Sequence, residues 1–269
     1  MLATVFGLAA IAGGAVGPAP HSPGGGAHGE QAMGMSGNGA AMAPAGLAIA
    51  RDGYRLALGS TSFQAGRTRA LRFRVLDSRG MPVHDFDSEH GARLHLIVVR
   101  RDLTGYQHVH PRLASDGTWS IPLTLPDPGA YRMFADFQTG GRHLTLGADL
   151  FVPGNFKPRP LPAQAGTAAV DGYSVELSER SPGALHFTVW RGGREVTDLQ
   201  PYLGARGHLV ALREGDLAYL HVHPEEGATP GAGVSFQASF PSTARYRLFL
   251  QFKHEGRVHT AEYTREVTR

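Results

Sequence analysis

HLIVVRRDLTGYQHVHP (95–111) and HLVALREGDLAYLHVHP (208–224) align without a gap, and this pair decides the fold. Each begins with a short apolar run, passes through polar turn residues, and returns through a Tyr-x-His-x-His-Pro run. Such a pattern reads as a β-hairpin. In the second copy Gly215-Asp216 is a natural two-residue turn, which would pair Glu214 with Leu217. Counting back sets His208 opposite His223 and Val210 opposite His221. The same register in the first copy sets His95 opposite His110 and Ile97 opposite His108. The proline after each HVH motif ends its strand, where a missing N–H is tolerated.

The similarity extends on both sides of the hairpin. Asp52-Gly53-Tyr54 recurs as Asp171-Gly172-Tyr173. Val83-x-Asp85 before Gly91-Ala92-Arg93-Leu94-His95 recurs, with the same spacing, as Val196-x-Asp198 before Gly204-Ala205-Arg206-Gly207-His208. Tyr131-Arg132-x-Phe134 recurs as Tyr246-Arg247-x-Phe249. The chain is therefore an internal duplication. Each copy shows short β-branched or aromatic runs between Gly, Pro and Asp turn signals, and no long helical period. In the first copy these runs are 53–58, 68–76, 93–100, 106–110, 117–123, 130–137 and 144–152. In the second they are 172–178, 184–190, 207–213, 218–223, 233–239, 245–252 and 257–266. About seven short strands per copy predict an all-β fold of two tandem immunoglobulin-like or cupredoxin-like β-sandwiches.

Alternation along the hairpin gives the duplication a chemical reading. Side chains two apart on a strand share a face, and opposed residues have Cβ atoms about 5 Å apart. His95, His108 and His110 should form one patch, and His208, His221 and His223 a second, with Tyr106 and Tyr219 on the same faces. Three neutral imidazoles suit Cu(II) or Zn(II), with copper favoured by the affinity order, and leave a position for water or a fourth ligand. Asp85 and Asp198, ten residues before the first histidine of each copy, are further candidates, as is Met133, whose counterpart is Leu248. His84, Asp87, Glu89 and His90 enrich the first copy's loop with donors. His143 and His259 are offset by one residue in the alignment, which points them to opposite faces; neither is placed in a site. Hairpin histidines can also be structural, stacking on tyrosine or donating to carbonyls.

Composition limits the alternatives. The 269 residues include 14 histidines and no cysteine. That removes disulfides, thiolate metal sites and cysteine nucleophiles, and a blue-copper centre with them. The 26 basic and 23 acidic residues leave a formal +3. Only Lys157 and Lys253 are lysines and no basic run occurs, so no nucleic-acid partner is expected. The GxSxG and HExxH signatures are missing, and no enzyme activity is expected.

Leu2 to Gly17 carries no charge, and Glu30 is the first charged residue. Residues 1–17 read as an export signal or membrane anchor, which implies an extracytoplasmic protein. Residues 18–46, rich in Gly and holding Met33 and Met35, read as a disordered linker whose thioethers suit copper. The sandwiches then span 47–153 and 167–269, joined by a Pro-rich linker over 154–166.

The Gly-Ala-Arg-x-His … HVHP pattern, the PYLGARGHLVAL stretch (201–212) and the Tyr-Arg-x-Phe strand resemble a largely uncharacterised actinobacterial family of exported or membrane-anchored proteins. Its members have two β-sandwich repeats and are often labelled heavy-metal-binding or copper-associated. The resemblance implies metal handling in the cell envelope. A copper carrier or buffer is thus expected, with the metal ion as ligand and a membrane metal transporter or another envelope protein as partner. The alternative is a surface interaction module whose histidines are structural or pH-responsive.

Overall fold

Alternating burial along each strand builds two apolar cores and, between them, a third. The computed structural model describes residues 44–89, 91–224 and 233–268, apart from the side chains of His221, His223 and Pro224. In the first repeat the strands are β1 (Ala50–Arg51), β2 (Tyr54–Leu58), β3 (Thr68–Leu76), β4 (His95–Arg100), β5 (Gln107–Val109), β6 (Arg112–Leu113), β7 (Trp119–Thr124), β8 (Gly129–Thr139) and β9 (Arg142–Val152). The second has β10 (Thr167–Val170), β11 (Tyr173–Ser181), β12 (Ala184–Arg191), β13 (Arg194–Glu195), β14 (Gly207–Arg213), β15 (Tyr219–Pro224), β16 (Val234–Gln237), β17 (Ala244–His254) and β18 (Arg257–Val267). No helix occurs among the described residues.

The first repeat stacks a sheet of order β1-β2-β3-β7-β6 on one of order β5-β4-β8-β9. Leaving β1 aside, that is the immunoglobulin-type arrangement, with the chain switching sheets after β3, β5 and β7. The expected all-β sandwich repeat is therefore what forms. In the second repeat β15 is continuous and belongs to both sheets: Tyr219–Val222 pair with β14, and His223–Pro224 pair with β16. In the first repeat Pro111 splits the same crossing into β5 and β6. Both copies carry the tyrosine corner of this fold. The Tyr131 hydroxyl donates to the Asp127 carbonyl at 2.8 Å, and Tyr246 to Ser242 at 3.0 Å. These are the tyrosines of the repeated Tyr-Arg-x-Phe strand.

Phe73, Trp119, Leu96, Val98 and Met133 fill the first core. Phe187, Phe236, Leu209, Ala211 and Tyr263 fill the second. The third core joins the repeats: Ile97, Val99, Leu103 and Phe134 of the first pack with Val210, Leu212, Leu217, Tyr219 and Phe249 of the second. Tyr106 stacks on Phe249, rings 4.0 Å apart and 9° from parallel. The hairpin faces that carry the histidines thus cover each other.

Two local readings need correction. The second hairpin turns through four residues, 214–217, instead of two. Leu217 N–H donates to the Arg213 carbonyl at 3.0 Å, and Arg213 N–H to Ala218 at 3.0 Å. Asp216 accepts from the Arg213 guanidinium and the Ala218 amide, which favours the wider loop. The strand register survives because the loop widens equally on both sides. Residues 44–46, assigned to the disordered linker by composition, are instead held between the repeats. Tyr219 N–H donates to the Ala45 carbonyl at 3.1 Å, and the Arg132 guanidinium donates to the carbonyls of Gly46 and Leu47. The Pro-rich segment is also tied down: Arg159 N–H donates to Asp102, and Arg245 to the carbonyls of Leu161 and Pro162. Residues 1–17 and most of 18–46 lie outside the described residues.

Candidate metal centre

β4 and β5 pair Ile97 with His108 and Leu96 with Val109, the register counted from the sequence. Leu96 and Val98 point into the first core, so His95, Ile97 and Val99 point to the seam with the second repeat. His108, opposite Ile97, shares that face. His110 follows where the chain begins to cross between sheets.

The three rings converge. His95 Nδ1 lies 3.0 Å from His108 Nε2 and 3.1 Å from His110 Nε2. One nitrogen from each ring falls within 4.8 Å of the other two. Metal–nitrogen bonds of about 2 Å at angles of about 90–110° set neighbouring donors roughly 3 Å apart, so this spacing suits a shared ion. The outer nitrogens determine where the protons sit. The Glu89 carbonyl, 3.1 Å from His95 Nε2, can only accept, so that nitrogen carries the proton. Gln251 Oε1, 2.7 Å from His108 Nδ1, accepts the second proton. In their neutral forms His95 Nδ1 and His108 Nε2 therefore face each other as lone pairs. A cation held by both nitrogens would relieve that repulsion.

Burial keeps His108 and His110 neutral. It pushes His108 down to about 3, assisted by His95 and His110 and opposed by the hydrogen bond to Gln251. It pushes His110 down to about 4, with His95 adding to the shift. His95 is 4% exposed, whereas His110 is half-buried and lines a surface groove with Arg93, Arg112, Trp119 and Leu203. The groove is the side from which the triad meets solvent. A group of three imidazoles, two of them kept neutral by burial, with an edge toward solvent can hold a metal ion and leave room for an exogenous ligand.

The second repeat contributes directly. Gln251 stands on β17 opposite His208. The His208 ring lies 4.6 Å from that of His108 and stacks on His95 at 5.9 Å, 12° from parallel. His221 pairs with Val210 through its backbone, as counted. The side chains of His221 and His223 lie outside the described residues, as do His90, Met33 and Met35. Among the described residues, one triad alone has metal-ligand convergence.

The remaining candidates fall elsewhere. Met133 is fully buried in the first core, on the face of β8 opposite to the triad. The Asp85 carbonyl accepts from Thr139 and its side chain is exposed, because the loop carrying it runs past the sheet edge. Asp198 is 81% exposed and accepts from His254 Nε2 at 3.1 Å, next to Tyr173 rather than His208. The acid on the triad's face is Asp136, opposite His95 on β8 and 2% exposed. It accepts from Thr145 at 2.7 Å and Tyr219 at 3.3 Å, and pairs with His143 Nε2 at 3.0 Å. Glu89 stands 3.7 Å from the same His143 nitrogen. The one-residue offset noted for His143 and His259 does turn them apart: His259 is buried against Tyr173 and Phe252. No sequence signal marks Asp136: its place opposite His95 on the neighbouring strand is revealed only by sheet pairing.

A family model described as a domain of unknown function (DUF8832) matches residues 49–153 and again residues 168–269. The chain belongs to this family. The two DUF8832 matches fall on the two copies of the internal repeat, and the copies differ where β4 and β14 meet their neighbours: Asp136 faces His95, whereas Gln251 faces His208. No curated protein matches the chain. Among solved structures it is similar to Salmonella alpha-2-macroglobulin reacted with methylamine, at 15% identity over 82% of this chain and TM-score 0.30. It spans only 15% of that protein. The Escherichia coli adhesin FdeC matches at 13% identity over 82% of this chain and 66% of its own, TM-score 0.28. A two-domain fibronectin type III segment of chicken tenascin matches at 10% identity over 79% and 97%, TM-score 0.24.

Proposed function

We propose that this DUF8832 protein is an extracytoplasmic metal-binding protein, a copper carrier or buffer, with His95, His108 and His110 as ligands. The observation that carries the reading is the approach of His95 Nδ1 to two other imidazole nitrogens at 3.0 and 3.1 Å while the outer nitrogens of His95 and His108 are held by acceptors. Outer partners of this kind orient and activate metal-ligating histidines. An all-imidazole set lacks the thiolate of an electron-transfer copper site and ranks copper above zinc by intrinsic affinity. The apolar segment 2–17 supports export or anchoring, and an envelope transporter or neighbouring envelope protein is the recipient that a carrier implies.

Equilibrium dialysis against Cu(II), and separately Zn(II), followed by elemental analysis tests this. The wild type should retain copper in near-stoichiometric amount, and the variant His108→Gln/His110→Gln should lose the ion held at this triad. Circular dichroism would show that the variant is folded. Equal, substoichiometric metal in both proteins would remove the proposal and leave the histidines as packing groups between the repeats.

A further inference from the structure

We infer that Gln251, supplied by the second repeat, is a positioning residue for the first repeat's triad and that its neutral amide keeps the bound metal exchangeable. The inference rests on the metal-binding reading above. Gln251 is 6% exposed and its Oε1 lies 2.7 Å from His108 Nδ1, across the seam between repeats. Its Nε2 donates to Thr260 Oγ1 at 3.3 Å, which sets the amide's orientation with the oxygen toward His108. His108 is thereby locked with Nδ1 protonated and Nε2 aimed at His95. Among the described residues the contact on His108 Nδ1 comes from the second repeat, so this ligand is positioned only when the second repeat is docked.

The chemistry of the residue matters as much as its place. A carboxylate accepting from the outer N–H of a ligating histidine makes the imidazole a stronger donor. This fold can bury a carboxylate at that strand position, because Asp136 occupies the corresponding place on β8 and is satisfied there by Thr145, Tyr219 and His143. At Gln251 an uncharged acceptor stands instead. The outer partner of His95 is likewise neutral, the Glu89 carbonyl. Neither hydrogen-bonded outer partner therefore brings a negative charge to offset the ion's charge. A site built this way orients its ligands and still releases its ion, as a carrier requires.

The full chain with Gln251→Leu and Gln251→Glu separates this role from packing. Copper(II) affinity, measured by competition with a chelator, should fall about 10–100-fold in Gln251→Leu and rise several-fold in Gln251→Glu. In the metal-free protein, long-range ¹H–¹⁵N spectra should show His108 as the Nδ1–H form in wild type and as a mixture of tautomers in Gln251→Leu. Equal weakening in both variants would mean that Gln251 only packs, and would overturn the inference. So would unchanged copper affinity, or a His108 tautomer that ignores the Leu substitution. Should the wild type bind no copper, the metal reading fails and the inference about exchange fails with it. The tautomer experiment alone then decides whether Gln251 positions His108.

Discussion

His143 shows how the seam uses charge as well as shape. Its Nε2 meets Asp136 at 3.0 Å and Glu89 at 3.7 Å, and the hydrogen bond to Asp136 raises its pKa against the cost of burial. A raised folded-state pKa contributes stability that is fully present below about 6.5 and is lost as pH rises through the folded value. With a chelator present, the difference in unfolding free energy between wild type and His143→Gln should therefore be largest in mild acid and shrink as pH rises. A difference that stays flat from pH 5 to 9 would show that the pair is not charged. This residue and Asp136 are also where sequence reading stopped. The triad histidines announce themselves by repetition and spacing. Asp136 is 41 positions from His95 and Gln251 is 143 from His108, so no local pattern links them.

At the scale of elements, the segment 44–47 behaves as a strap laid across the seam. Gly46 N–H donates to the Thr145 carbonyl at 3.1 Å, and Gly147 N–H donates to Ala48 at 2.9 Å. Gly147 has to be glycine for steric reasons: a Cβ there would sit 1.9 Å from the Gly46 carbonyl oxygen. Gly46 is confined in turn, with φ +74° and Phe134 and Tyr219 in the space a Cβ would take. Gly147→Ala should cost about 1–3 kcal/mol, the range for overpacking a tight contact. It should also speed amide exchange at Tyr219, whose N–H donates to Ala45; unchanged exchange would show that the strap is not held this way. The longer strands were readable from alternation, and the hairpin register from the position of its turn. β6 and β13, two residues each, carry too little pattern to be seen. Residues 44–46 read as linker because their composition continues that of the preceding stretch, whereas their hydrogen bonds are to side chains and strands far along the chain.

For the molecule as a whole, the shared core means that the repeats should unfold together. Phe249 is fully buried, stacked on Tyr106 of the other repeat, and two residues from Gln251 on β17. Phe249→Ala should cost about 3–5 kcal/mol, separate a single calorimetric transition into two, and weaken metal binding by disturbing Gln251. One transition with unchanged affinity would mean that the seam contributes little. The sequence by itself determined the duplication, the all-β class, the hairpin register and the three histidines that share a face, because each depends on spacing within a few dozen residues. Tertiary structure alone decided that this face is an interface, that Gln251 and His208 from the other repeat adjoin the triad, and that Met133, Asp85 and Asp198 stand apart from it. The reason is physical: alternation states which side chains share a face of a sheet, but what covers that face is settled by packing between segments with no fixed separation in the chain.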